Sequence, residues 1–207
     1  MSEPAIYGVY LAAGKSRRMG SNKLTMPLGN TTVGSKALFT ALHSRLKHIF
    51  VVTGAEDPLE WIDVEFFSPD IKKRWSQVEC SNSSKGQAYS LRCGIAAAEN
   101  RSASAAMVLL ADQPLISRTV IHGLIDNMNQ NEQLRFAASS YQGLRRPPVL
   151  LDRILFPLVS KLEGDQGAGK LLDSISDKGK TIEYNNWREF YDIDSKEDYQ
   201  WILEATM

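Results

Sequence analysis

The sequence predicts an α/β protein: a mostly parallel sheet with helices on both faces. Three observations predict it. Short apolar runs rich in β-formers alternate with segments of helical period along the chain. The polar, glycine-bearing and acidic loops fall just after the apolar runs, where ligand loops gather in such sheets. At 207 residues and 43% hydrophobic, the chain suits one core and one domain, residues 1–207.

The elements follow in order. Ala5 to Leu11 reads as a buried strand, and Lys36 to Leu46 as a helix with Ala37, Leu38, Ala41 and Leu42 on one face. His48 to Thr53 is a second strand ending at Gly54. Gln87 to Glu99 sets Ala88, Leu91, Ile95 and Ala98 on one helical stripe, with Gly86 at its start. Ala105 to Ala111 is a third strand and stops at Asp112. Ser117 suits the cap of a helix carrying Val120, Ile121, Leu124, Ile125 and Met128. Phe136 to Tyr141 and Thr181 to Tyr184 read as extended. Asp152 to Leu162, Ala168 to Ile175 and Lys196 to Ala205 read as helical.

Twenty-four basic and 24 acidic side chains balance to zero net charge, so nothing draws the chain as a whole to nucleic acid or an anionic membrane. The run from Ile6 to Ala13 is too short to span a bilayer and lacks the basic flank of a signal peptide. A cytoplasmic protein is expected. Cys80 and Cys93 form no CxxC or metal-ligand pattern and read as reduced thiols.

Anion binding must therefore come from local clusters, and LAAGKSRRMGSNK, from Leu11 to Lys23, is one. It is not a P-loop, because Val9 stands where the first glycine of that pattern belongs. Nor is it a dinucleotide fingerprint, because Ser16 stands where the second glycine should be. Downstream, Gly164, Gly169 and Lys170 match a P-loop spacing, but Leu171 cannot hold magnesium and no strand precedes them. What remains in the first loop is Gly14, Arg18, Met19, Gly20 and Lys23. Gly14 lets a phosphate approach the backbone closely, the guanidinium of Arg18 can chelate phosphate oxygens, and Lys23 supplies a compact charge.

These residues are similar to the MobA-like nucleotidyltransferases, a family that includes the enzymes attaching a nucleotide to molybdopterin. The first loop resembles L-A-x-G-x-x-x-R-M-G-x-x-K, LLADQP (Leu109 to Pro114) an L-x-x-D-x-P metal segment, and YDIDSKEDY (Tyr191 to Tyr199) a late D-I-D-T-P-E-D. GDQGAGKLL resembles G-D-x-G-A-R-x-L. The resemblance spans nearly the whole chain and implies a three-layer, Rossmann-like nucleotidyltransferase fold with a mixed sheet. The L-A-A-G version, with Ala13, resembles the cytidylyltransferase branch, whereas the guanylyltransferases usually show L-A-G-G.

The resemblance implies transfer of CMP from CTP to the terminal phosphate of molybdopterin, with pyrophosphate released, for a molybdenum hydroxylase such as xanthine dehydrogenase. Transient contact with the hydroxylase apoenzyme would follow. It implies catalytic roles for Arg18, Lys23 and Asp112, and Mg²⁺ held by Asp112 and Asp194, with Asp192 as the other candidate. Nucleotide contacts would come from Leu11, Ala12, Ala13, Gly14, Arg18 and Lys23. Thr53, Gly86, Gln87 and Ser90 are further nucleotide candidates. Arg145, Arg146, Gly167 and Lys170 are the acceptor-side candidates. This chain departs from the family pattern at Arg146-Pro147-Pro148, at Gly169 and at Lys196, all toward the acceptor side or the last helix. A guanylyl or sugar-phosphate transferase, or a non-catalytic cofactor carrier, are the alternatives.

Overall fold

The computed structural model describes residues 4–14, 20 and 22–206. β1 (Ile6–Leu11) leads through a 3-10 turn at Lys23–Thr25 to the small hairpin β2 (Pro27–Leu28) and β3 (Thr31–Thr32), then α1 (Val33–Leu42). β4 (Ile49–Thr53), a short α2 (Pro69–Lys72), β5 (Trp75–Glu79), α3 (Gln87–Asn100) and β6 (Ala105–Leu110) follow. The second half runs α4 (Arg118–Gln130), β7 (Phe136–Tyr141), β8 (Leu144–Asp152), α5 (Phe156–Val159), α6 (Ala168–Asp173), β9 (Gly179–Glu183) and α7 (Lys196–Thr206).

Seven strands form one sheet in the order β5-β4-β1-β6-β8-β7-β9. All neighbours are parallel except β8, which runs antiparallel to both β6 and β7. The alternation of side chains along β1 shows why helices must cover both faces. Ile6 and Tyr10 enter one core, with Leu38 and Leu42 of α1, Ile121 and Leu124 of α4 and Ile202 of α7. Tyr7, Val9 and Leu11 enter the other, with Leu91 and Ile95 of α3, Phe156 of α5 and Leu172 of α6. Each such fully buried aliphatic or aromatic side chain contributes roughly 1.5–3 kcal/mol. Gly94 lets α3 lie close on the sheet, since a Cβ there would stand 2.3 Å from Val9 Cγ1.

The chain order makes a topological switch point. From β1 the sheet grows outward through β4 and β5, then the chain returns to place β6 on the other side of β1. The strand order thus reverses direction between β1 and β6, and a crevice opens at their carboxyl ends.

Several expectations change. The helix expected over Lys36 to Leu46 begins and ends earlier, at Val33 and Leu42; Thr32 caps it by accepting from Ser35 N. Asp152 to Leu162 is not one helix. Asp152 closes β8, and a 3-10 turn and the four residues of α5 follow. Cys80 and Cys93 are not reduced thiols but a disulfide, with Cα atoms 6.1 Å apart. The end of β5 and the middle of α3 pack against each other, so two cysteines with no sequence motif meet. No described helix is long and apolar enough to cross a membrane.

Candidate functional site

The crevice at the ends of β1 and β6 encloses about 410 Å³. Its floor is the end of β1 and the residues after it, Leu11 to Gly14, beside Leu110, Ala111 and Asp112. Backbone pairing continues past the strands and fixes this floor: Ala12 N donates to Val52 O at 2.8 Å and Ala111 N to Leu11 O at 3.1 Å.

One wall comes from the α1 side. Asn22 caps the 3-10 turn by accepting from Leu24 N, and Leu24 is buried in the core. That anchor turns Lys23 inward, so that only 7% of it is exposed. Its Nζ donates to Asp112 at 2.6 Å and to Asp194 at 3.1 Å. The other wall comes from the α3 side: Ser83, Ser84 and Lys85 of a 3-10 turn, then Gly86, Gln87 and Ser90 at the start of α3. Asp165 joins this wall from the loop before α6. Gly86 has φ +133°, and a Cβ there would stand 2.1 Å from Gly164 O, so only glycine permits the two backbones to touch. Ala88 N donates to that same Gly164 O at 3.0 Å, which ties the loop to the first turn of α3.

The late acidic segment is fastened by its own backbone. Ile193 N donates to Asp112 O at 3.0 Å, bringing Asp192 and Asp194 to the end of β6. Ser195 and Asp198 form a reciprocal cap: Asp198 N donates to Ser195 Oγ, and Ser195 N to Asp198 Oδ2. Asp194 N also donates to Asp198 Oδ2, and Tyr191 Oη donates to Asp198 Oδ1. Ser195 therefore starts α7, which leaves the carboxylate of Asp194 to reach Lys23.

Charge follows from this packing. Burial works against the ammonium of Lys23, but the charges and hydrogen bonds of Asp112 and Asp194 outweigh it and raise its pKa. Asp192 is pushed up to about 6, first by burial and then by the neighbouring charge of Asp112. A hydrogen bond from the side chain of Gln113 partly offsets this.

A magnesium or manganese ion needs oxygen ligands, commonly one or two carboxylates completed by substrate phosphates. Among the described residues no cluster of three or more His, Cys, Asp or Glu could hold a metal alone. The pair Asp112 and Asp194 nevertheless fits the phosphate-completed type, since both carboxylates already converge on one cation, the ammonium of Lys23.

The sequence candidates sort as follows. Leu11, Ala12, Ala13, Gly14, Lys23, Gly86, Gln87, Ser90 and Asp112 all line the crevice. Asp194 meets it through Lys23. Arg18 lies outside the described residues. Thr53 is placed away from the crevice: it is fully buried, and its hydroxyl accepts from Gln77 Nε2. Arg145 pairs with Asp173 of α6 at 2.9 Å, and Arg146 sits opposite Ser139 in the first half of β8. Gly167 packs toward the side chain of Gln87, and Lys170 is exposed on α6. Sequence reading missed Lys85 and Asp165. Lys85 directly precedes the helix-starting glycine, a signal that was available. Asp165 is the aspartate of the segment that resembles G-D-x-G-A-R-x-L, but nothing local ties residue 165 to residue 86.

A parallel-sheet crevice at a switch point, with a glycine-bearing strand end facing a lysine–carboxylate cluster, defines a nucleotide-handling α/β protein. The MobA-like NTP transferase domain matches residues 8–180, and the chain belongs to that family. It is 41% identical over 207 residues to the purine catabolism protein PucB of Bacillus subtilis, covering 99% of each chain. Among solved structures, it resembles an Rv0371c homologue from Mycobacterium sp. strain JC1, with a TM-score of 0.79, 25% identity and 98% and 96% of the two chains covered. The Mycobacterium tuberculosis Rv0371c structure in complex with manganese is similar at a TM-score of 0.72 and 23% identity, covering 97% and 99%.

Proposed function

We propose that this transferase-family protein moves CMP from CTP to the terminal phosphate of a molybdopterin-type acceptor, releasing pyrophosphate. The whole chain, residues 1–207, acts as one catalytic domain. The product would mature a molybdenum hydroxylase such as xanthine dehydrogenase, a setting supported by the purine-catabolism name of the 41% identical relative. The observation that carries the chemistry is the convergence of Lys23, Asp112 and Asp194 on one edge of a cavity of nucleotide size.

The residues divide the work. Ala13 and Gly14 present backbone to the triphosphate, and Lys23 and Arg18 neutralise it; Lys23 exchanges its carboxylates for phosphate oxygens. Asp112 and Asp194 would hold the divalent ion, which when bound would offset charge on the phosphates. An oxygen of the acceptor phosphate bonds to the α-phosphorus as the bond to the bridging β-phosphate oxygen breaks, and that electron pair leaves with pyrophosphate. The acceptor is already anionic, so no side chain need remove a proton. Preorganised positive charge is the main contribution asked of the protein, and one well-placed donor is worth about 3 kcal/mol. Gln87 and Ser90 face the nucleoside end, while Arg145, Arg146, Gly167 and Lys170 serve the acceptor side.

The deciding experiment offers CTP, GTP, ATP and UTP in turn, with Mg²⁺ or Mn²⁺ and molybdopterin, and follows pyrophosphate. Release with CTP, with a cytosine dinucleotide of molybdopterin identified by mass, is the expected result. Release with GTP in preference would move the protein to the guanylyl branch, and release with no nucleotide would make it a carrier.

A further inference from the structure

We propose that Asp165 reads the base: its carboxylate accepts the exocyclic amino N–H of cytosine and so selects CTP over UTP. This rests on the nucleotidyltransferase reading above and sharpens it. Three observations lead here.

First, the crevice straddles the edge of the sheet. Lys23 and Leu24 approach from the α1 side, while Gly86, Ser90 and Asp165 approach from the α3 side. A triphosphate belongs with the buried lysine, which leaves the α3 wall for the nucleoside. Asp112 and Asp165 are the two carboxylates among the lining residues, and Asp112 is engaged by Lys23. A second carboxylate facing phosphate would repel it. Facing a base, it finds donors.

Second, Asp165 is held at the wall by backbone rather than by its own side chain. The Gly164 carbonyl accepts from Ala88 N, and Gly86 lies against Gly164 without room for a Cβ. The ion pairs among the described residues leave Asp165 out, so its carboxylate is not committed elsewhere.

Third, the chemistry discriminates. Cytosine presents an N4 amino donor where uracil presents an O4 acceptor, and a carboxylate accepts from the first and repels the second. The buried hydroxyl of Ser90 on the same wall can donate to the ring acceptors beside that amino group. Together they match the donor–acceptor order of a cytosine edge.

The test measures dissociation constants of CTP, UTP and 2′,3′-dideoxy-CTP with Ca²⁺, together with kcat/KM for CTP and UTP under Mg²⁺. Wild type, Asp165→Asn and Asp165→Ala are compared, and circular dichroism checks the fold of these exposed-site variants. Wild type should prefer CTP, and Asp165→Asn should narrow that preference about tenfold or more, because a carboxamide can also donate to O4. Asp165→Ala should weaken CTP binding and, with the repulsion of O4 removed, strengthen UTP binding. Dideoxy-CTP should show the same penalty as CTP. An unchanged CTP:UTP ratio in Asp165→Asn overturns the assignment, and so does a penalty that disappears with dideoxy-CTP, which would move the contact to the ribose. A wild type that binds no nucleotide overturns the functional reading itself, and this inference with it.

Discussion

Lys23 and Asp112 stand 89 residues apart in sequence and 2.6 Å apart in space. Lysine buried to 7% exposure is uncommon unless paired, and here the partners are both acids of the candidate metal site. The ammonium thus occupies the position between carboxylates that a divalent ion requires.

Lys23→Met should therefore do two opposite things. Turnover should fall about 10²–10³-fold, the range for removing one preorganised donor, as measured by pyrophosphate release. Affinity for Mn²⁺ without nucleotide should rise, because Asp112 and Asp194 lose their internal cation; calorimetric titration would show it. Unchanged turnover would remove Lys23 from the site.

Gly86→Ala tests the joint between the α3 wall and the Gly164 loop. A Cβ at φ +133° would stand 2.1 Å from Gly164 O, with no flexible side chain to yield. Strain of about 1–3 kcal/mol should lower the melting temperature by roughly 2–12 °C and weaken nucleotide binding. Gly169→Ala is the control. Nothing lies within 4 Å of its Cβ position in α6, and replacing a helical glycine there should be neutral or stabilise by about 0.5–1 kcal/mol. Thermal melts of the two variants would separate packing from mere glycine loss.

Asp192 carries a pH dependence. With its pKa at about 6 in the fold against an ordinary 3.8, the folded protein binds a proton that the unfolded chain has released between those values. Stability from this group is complete below pH 4 and is lost as pH rises through 6, by about 3 kcal/mol at most. Asp192→Asn should then be more stable than wild type at pH 8 in the presence of chelator, with the gap closing near pH 4. Urea denaturation at both pH values checks this.

Asp198→Ala should loosen Asp194 without touching it. The variant removes the acceptor for Asp194 N, Ser195 N and Tyr191 Oη and breaks the reciprocal cap of α7. A stability loss of about 1–2 kcal/mol is expected. If Asp194 works through this support, kcat should fall further than KM rises, and Asp198→Glu should restore part of it.

How far the sequence reaches is clear from particular elements. β1, β4 and β6 are continuous apolar runs, because parallel central strands are buried on both faces, and they were legible for that reason. The stripe of α3 and the Ser117 cap of α4 were equally plain, the cap accepting from Val120 N. β8 was not, because its first half reads Leu-Arg-Arg-Pro-Pro, and proline weakens any strand signal. Nor was β5, whose WSQVE is buried fully only at Trp75. Around the crevice, motif spacing pointed to Lys23 and Asp112, which the fold brings within 2.6 Å, whereas the place of Asp165 in the lining depends on a contact between loops that only folding brings together. A strand end such as Thr53 reads the same in sequence whether its hydroxyl meets a ligand or a neighbouring side chain, and in the fold it accepts from Gln77.

The Cys80–Cys93 bond closes a ring around the stretch that forms most of the α3 wall, from Ser83 through Ser90. In the unfolded chain that ring deletes many of the conformations this wall could otherwise explore, so much of its ordering cost is met before folding begins. For a loop of this length the saving is about 3 kcal/mol in chain entropy. Dithiothreitol should then lower the melting temperature and speed amide exchange in residues 81–90 more than elsewhere. The oxidation state of two residues outside the crevice lining thus bears on how rigid its α3 wall is.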